Sequence, residues 1–298
     1  MILNRLAATM SDIQPILVVG ATGMLGEPVA RRLQADGFRV RVLARSPERA
    51  LQRLGDSYEI VQGDVGRPDT LGPAVRGCYG VYINLNGEPD PASHDRIVHR
   101  GAANVAHAAA QAGVERLNVI TGASVSDENA WYYGTQAKLQ AEAAIRASGV
   151  PYSIWRATWF MESLPLFVRG RKAVVMGRQP HPWSWLAVED YARMVSRAFG
   201  APEAANRIFY VHGPERFTMR QALEFYCSRV RPEVRVSTAP LWFLSLVSRV
   251  TRNNTMQSAV DLMQYFEKVP EQGDATQANT LLGAPTTTLA EWCHRQQA

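Results

Sequence analysis

The sequence predicts an α/β fold: a doubly wound parallel sheet with a smaller C-terminal α/β lobe. Two observations carry the prediction. Short β-branched runs alternate with helical stretches rich in Ala, Leu, Gln and Arg through the first half of the chain. Three glycines also stand where the first run meets the first helix. Strands separated by helices pair in parallel, with the helices crossing the sheet faces and any ligand held beyond the strands' carboxyl ends.

The expected strands are 16–19, 40–43, 59–61, 81–85, 117–121 and 152–155, and the helices between them are 24–35, 47–54, 69–75, 92–112 and 135–147. Gly37, Gly113 and Gly149 fall just past three of these helices, where a C-cap takes a left-handed conformation. Past about residue 157 the alternation loosens, and Pro180, Pro182, the Gly213-Pro214 pair and Pro232 punctuate a mixed segment. The expected division is therefore a nucleotide-binding core over 11–156 and a substrate lobe over 157–298, with some strands of the lobe returning to the core.

Composition narrows the class. A chain of 298 residues, 46% hydrophobic and 20% charged, can bury a sizeable core and does not read as disordered. The formal charge is +5, yet only three of the 32 cations are lysines and the arginines are scattered. This argues for local anion sites rather than a nucleic-acid partner. Cys78, Cys227 and Cys293 form no CxxC and the six histidines show no ligand spacing, so neither a disulfide framework nor a metal site is expected. A cytoplasmic location is the simplest expectation. No segment approaches the roughly 20 apolar residues of a spanning helix. Met10-Ser11-Asp12-Ile13 stands where such domains often begin, so residues 1–9 read as an extension or a start-site artefact.

The first turn reads Gly20-Ala21-Thr22-Gly23-Met24-Leu25-Gly26 directly after an apolar strand. A missing Cβ lets the chain turn at Gly20, lets the backbone approach a pyrophosphate near Gly23, and lets helix and strand pack closely at Gly26. An anion there meets unpaired N–H groups at the positive end of the helix dipole. This is a Rossmann-type dinucleotide site in which Thr22, Met24 and Leu25 complete the binding turn.

Cofactor choice rests on the end of the second strand, where NAD-preferring sites carry an acidic residue for the ribose 2′-hydroxyl. Here the chain reads Arg45-Ser46-Pro47-Glu48-Arg49. Two guanidiniums one helical turn apart and a serine hydroxyl suit a 2′-phosphate, so NADP(H) is the expected cofactor. The competing reading leaves both arginines solvated and gives the ribose to Glu48.

The spacing GxxGxxG resembles the short-chain dehydrogenase/reductase superfamily, and its wording resembles the atypical, NmrA-like branch. The likeness continues through Arg45 to Arg49, Gly63-Asp64-Val65, Leu117 to Ser124, Lys138 to Glu142, Ser148 to Tyr152, Arg156 to Glu162, Val188 to Asp190 and Val211 to Glu215. It thus covers nearly the whole chain from Ile16. The resemblance implies that Asp64 accepts from the adenine amino group with the Val65 backbone beside it, though Asp64 could instead cap its turn. It implies that Asn84 and Leu85 lie beside the cofactor ribose, though Asn84 could simply satisfy a turn. Lys138 is similar to the lysine that binds the nicotinamide ribose, or else it pairs with Glu142 along its helix.

One departure matters for catalysis. The superfamily's common proton donor is a tyrosine four residues before the lysine, and that position here is Gly134. Tyr133 lies about 140° around a regular helix from Lys138. It, or Tyr132, could reach the site if the helix begins at Thr135 and the residues before it curl back; otherwise both rings pack at the cleft rim. Ser124 occupies a position similar to the family's catalytic serine, or caps and orients. Trp155, Trp159, Phe160, Met161, Trp183 and Trp185 either wall a site for a flat substrate or belong to the core. The apolar run 240–247 is core of the lobe, a dimer face or a membrane-surface contact.

Two functions remain in view. One is an NADPH-dependent reductase of a small conjugated or carbonyl compound such as a quinone or enone, with Lys138, Tyr133 and Ser124 as candidate catalytic groups. The other is a non-catalytic NADP(H)-sensing regulator or assembly factor of the NmrA-like type. The expected partners are accordingly a small-molecule substrate or a regulatory protein, and the expected state is a monomer or homodimer.

Overall fold

The computed structural model describes residues 14–297, so the suggested start at Met10 and the stretch before it lie outside the described residues. The first half runs β1 (Ile16–Val19), α1 (Gly26–Ala35), β2 (Val40–Ala44), α2 (Pro47–Leu54), β3 (Glu59–Gln62), α3 (Leu71–Val75) and β4 (Gly80–Ile83). It continues with α4 (Pro91–Ser93), a π-helical segment (His94–Arg100), α5 (Gly101–Gln111), β5 (Arg116–Ile120), α6 (Tyr133–Ala147) and β6 (Tyr152–Ala157). The second half holds β7 (Val168–Arg169), β8 (Lys172–Met176), β9 (Trp183–Trp185), α7 (Val188–Gly200), β10 (Arg207–Val211), β11 (Glu215–Phe217) and α8 (Met219–Val230). It ends with β12 (Arg235–Ala239), α9 (Leu241–Val250), α10 (Asn254–Lys268), α11 (Thr276–Leu282) and α12 (Leu289–Arg295).

Seven strands form one parallel sheet in the order β3-β2-β1-β4-β5-β6-β10. The α/β fold with its doubly wound parallel sheet is therefore present, and the chain reverses its winding direction between β1 and β4. That reversal opens a crevice at the strands' carboxyl ends. β1 shows why the sheet is stable: alternate side chains of a strand face opposite layers. Ile16 and Val18 join Val29, Leu33, Trp155, Tyr191 and Phe209 on one face. Leu17 and Val19 join Val81, Ile83, Val105, Leu117 and Ile145 on the other.

β10 returns from the second half to the edge of this sheet. The remaining strands form a three-stranded sheet β12-β8-β7 and an antiparallel pair β9-β11. α8 and α12 pack there around Trp183, Trp185, Tyr226 and Trp292. No helix among the described residues is long and apolar enough to cross a membrane.

Three of the boundaries that differ from expectation bear on the site. α1 opens at Gly26 rather than at residue 24, because the Gly23 N–H donates to Gly20 O at 3.0 Å and closes a separate turn first. The helix expected over 92–112 widens into a π segment between His94 and Arg100. α6 begins at Tyr133, not Thr135, because Tyr132 is extended at the N-cap and its carbonyl accepts from the Gln136 N–H. The residues before Thr135 do not curl back as a loop; Tyr133 reaches the candidate site from the first turn of the helix itself, where its ring meets His94.

Candidate functional site

The glycines of the first turn are forced by contact. Gly20 has φ +83°, and a Cβ there would lie 2.0 Å from Asn84 O. A Cβ on Gly26 would lie 2.0 Å from Gly20 O, so any side chain would push α1 off β1. At Gly23 a Cβ would stand 3.3 Å from Gly20 O and fill the concave side of the turn. Among the described residues no side chain caps the N-terminus of α1, whose N-cap is Leu25. A cradle of bare backbone at a helix N-terminus fits a dinucleotide pyrophosphate. Thr22 and Met24 are exposed on this turn and Leu25 is half-buried against the core.

Around the cradle, the Asn84 N–H donates to Val19 O at 3.0 Å and its side-chain amide reaches over the turn, 3.9 Å from the place of a Gly23 Cβ. Leu85 and Val65 both close on Gly101, where a Cβ would meet Val65 Cγ2 at 2.8 Å. Val65 O accepts from Asn104 Nδ2 at 2.8 Å, which ties the β3 loop to α5. Asp64 Oδ1 accepts the Gly66 N–H at 2.8 Å, and Thr70 bonds its backbone. Asp64 thus shapes its own turn with one carboxylate oxygen.

Arg45 and Arg49 are exposed at the carboxyl end of β2 and the start of α2. Neither guanidinium has a hydrogen-bond or ion-pair partner among the described residues. Ser46 caps α2, accepting from the Arg49 N–H at 3.5 Å, and its hydroxyl donates to Glu48 Oε2 at 3.0 Å. A bond from its own backbone, helped by that hydroxyl, holds the exposed Glu48 carboxyl below the usual range.

At the far end of the crevice Lys138 Nζ donates to Thr121 O at 3.2 Å, just past β5. Glu142 does not serve as its partner. The Glu142 carboxylate is fully buried and takes both Arg156 Nη2 at 2.7 Å and Arg156 Nε at 3.1 Å, with the Thr121 hydroxyl at 2.8 Å. Burial lowers the Lys138 pKa from the ordinary lysine value, only partly offset by the Glu142 charge.

His94 is the residue that sequence reasoning missed. Its ring meets Tyr133 edge-on at 4.9 Å, its Nδ1 lies 3.1 Å from Asp90 O, and Gly87 is bare where a Cβ would stand 2.8 Å from that nitrogen. Burial and the nearby Lys138 charge hold the ring below the ordinary histidine value, against hydrogen bonds that favour protonation. A signal was present: Asp90 caps the helix with Pro91 behind it, which puts His94 in the first turn of the helix that follows β4. The π segment that starts at His94 is itself a common mark of functional sites.

Tyr132 packs where Gly134 leaves no side chain. Its ring lies over Gly134, where a Cβ would be 2.7 Å from Cε1, and stacks on Tyr265 at 4.6 Å. Burial and a bond from Tyr133 raise its pKa well above the ordinary value. Tyr265 accepts from Thr135 Oγ1 at 2.9 Å and donates to Ser124 O at 3.1 Å, so the Ser124 carbonyl anchors α10. Of the aromatic candidates, Trp155, Trp183 and Trp185 are core rather than walls, with Trp155 donating to Asn118 Oδ1 at 2.8 Å. Phe160 and Met161 are buried as well, and Trp159 is half-buried against Phe167, Trp185 and Phe266.

Residues 20–190 match the family model described as NAD(P)H-binding. The chain belongs to this NAD(P)H-binding family. The resemblance to the NmrA-like branch of the short-chain dehydrogenase/reductase superfamily holds with it. Among relatives of this family member is a (4-alkanoyl-5-oxo-2,5-dihydrofuran-3-yl)methyl phosphate reductase of Streptomyces griseus, 34% identical over 209 residues that cover 69% of this chain and 70% of the relative. A photosystem II assembly factor of Trieres chinensis is 24% identical over 248 residues, 79% of this chain and 75% of that protein. The Citrobacter triphenylmethane reductase crystallised with NADP(H) shares the fold with a TM-score of 0.75 at 18% identity, over 95% of this chain and all of that one.

Proposed function

We propose that the chain is an NADPH-dependent reductase of a small conjugated compound such as a quinone or enone. The observation that carries this reading is the Lys138 ammonium beyond the carboxyl end of β5, half-buried near His94, with Tyr133 against that ring. Titratable groups gathered at the end of the crevice away from Arg45 and Arg49 serve chemistry more directly than they serve packing.

In this reading the turn Gly20 to Gly26 holds the pyrophosphate, Arg45, Ser46 and Arg49 hold the 2′-phosphate, and Asp64, Val65, Asn84 and Leu85 line the adenosine and ribose. NADPH supplies the hydride when bound. Lys138 binds the ribose hydroxyls and stabilises the negative charge that develops on the acceptor oxygen. The proton reaches that oxygen from Tyr133, supported by His94, or from water. Ser124 acts through its backbone, by fixing α10 over the site.

A second reading, a non-catalytic NADP(H)-responsive assembly factor or regulator, is favoured by one observation. The Tyr132 ring occupies the space over Gly134 and leaves no tyrosine at the common donor position. NADPH oxidation against a panel of quinones and enones separates the two readings. The reductase reading expects protein-dependent turnover that Lys138→Ala lowers by about tenfold or more. Tight NADPH binding without turnover on any acceptor would favour the second.

A further inference from the structure

The exposed face of α9 has no explanation in the nucleotide site. Trp242 is 71% exposed, Phe243 47%, Leu246 53% and Val250 76%. Trp242, Leu246 and Val250 follow one another at four-residue steps, so they form a single stripe along the helix. Four of the nine exposed large apolar side chains among the described residues thus fall within ten consecutive residues. The opposite side of α9 is anchored to α10, where Ser245 and Ser248 bond Gln257 at 3.3 and 2.5 Å.

Within the chain segment that carries the stripe the charges are of one sign. Residues 234–260 contain Arg235, Arg249 and Arg252 and no acidic residue. Arg249 and Arg252 are exposed at the end of α9, and Arg178 is exposed beside its start. None of these three has an ion-pair partner among the described residues. Two carboxylates beside this face, Glu267 and Asp261, bond to the Arg178 backbone N–H at 3.2 Å and to Gln257 Nε2 at 2.8 Å, and neither forms an ion pair with the arginines. A Trp, Phe and Leu face flanked by unpaired arginines is complementary to an anionic lipid surface, where aromatic rings seat at the headgroup level and cations meet phosphate.

We propose that α9 docks this protein onto anionic bilayers. The same hairpin roofs the candidate site: α10 carries Tyr265, which bonds Ser124 and Thr135, and Ser258, which bonds the Pro89 carbonyl just before His94's helix. Docking through α9 brings the Lys138 and His94 site close to the lipid surface. The site then takes its acceptor from compounds dissolved in the bilayer, a consequence that rests on the reductase reading.

The test is flotation of the full chain with vesicles of pure phosphatidylcholine and of phosphatidylcholine mixed equally with phosphatidylglycerol. The protein is expected to float with the mixed vesicles, and much less with the neutral ones. Trp242→Ser with Leu246→Ser should lower the bound fraction by about tenfold. Arg249→Gln with Arg252→Gln should lower it too and remove its salt dependence. Unchanged NADPH affinity shows that these surface variants are folded. Absence of flotation, or equal flotation of the apolar double variant, overturns the proposal. So does a dimer in sedimentation velocity that the same double variant dissociates, because a second copy then covers the stripe. A parallel assay compares a vesicle-dissolved quinone with a water-soluble one, and the apolar variant should lose turnover only with the former. If neither quinone is reduced while flotation persists, the reductase reading fails and docking stands.

Discussion

Removing both guanidiniums at the end of β2, with Arg45→Ala and Arg49→Ala together, should erase most of the protein's preference for NADPH over NADH. Charge-assisted hydrogen bonds contribute about 1.5–3 kcal/mol each, so two of them in a dry site would sum to roughly 3–6 kcal/mol. Both side chains are exposed, and solvent and salt remove at least about half of that. What remains, about 1.5–3 kcal/mol, corresponds to a preference of roughly ten- to a hundredfold. No partner among the described residues competes for either arginine, and the Glu48 carboxylate that could serve NADH instead already accepts from the Ser46 hydroxyl. The assay is titration of both nucleotides into both proteins at one fixed salt concentration. Each single variant should lose part of the gap, and raised salt should narrow it. Equal affinities in the unmutated protein, or a gap that survives the double change, would refute the assignment.

Other outcomes follow from the same geometry. Lys138→Ala should weaken NADPH binding by about 1.5–3 kcal/mol in calorimetry, and unchanged affinity in a folded variant would remove Lys138 from the site. Because burial lowers the Lys138 pKa, its charge is present at low pH and lost as pH rises through the lowered value. Turnover should therefore fall on an alkaline limb that begins below the ordinary lysine range, and a flat profile up to that range would contradict the role. Tyr133→Phe should retain at least about a tenth of the activity, since His94 and water remain, whereas loss of a sole general acid costs ~10²–10⁴-fold. Glu142→Gln should destabilise the fold by about 3–5 kcal/mol in urea denaturation, because it leaves the partly buried Arg156 without its bidentate partner. A shift below about 1 kcal/mol would mean that Arg156 finds another partner.

The nucleotide half of the molecule was legible because its constraints are local. A β-branched run followed by three bare glycines specifies both the turn and the close approach of α1 to β1, and both are visible in the contacts of Gly20 and Gly26. The reacting end was less legible because its neighbours are distant in sequence. Tyr265 bonds Ser124 and Thr135 from more than a hundred residues away, and no local pattern announces that contact. His94 shares no metal-like spacing with the other histidines, and only the Asp90-Pro91 helix start points to it. Lys138 and Glu142 sit at helical spacing, and spacing alone suggests a pair. Only the sheet order, which brings Arg156 of β6 beside β5, shows why Glu142 is taken by arginine instead. The tryptophans stayed ambiguous for a related reason: a large ring fits a core or a cleft equally well by composition, and neighbours in three dimensions decide which.

The central claim, that this NAD(P)H-binding chain reduces an acceptor at the Lys138 and His94 site, is tested most directly by a single turnover in stopped flow. NADPH-loaded protein is mixed with excess quinone or enone while the nicotinamide absorbance is followed. The account predicts a protein-dependent decay that saturates with acceptor, slows when the transferred hydrogen is deuterium, and is lost in Lys138→Ala at saturating NADPH. A reduced nucleotide that stays bound and unconsumed across the whole acceptor panel would contradict it.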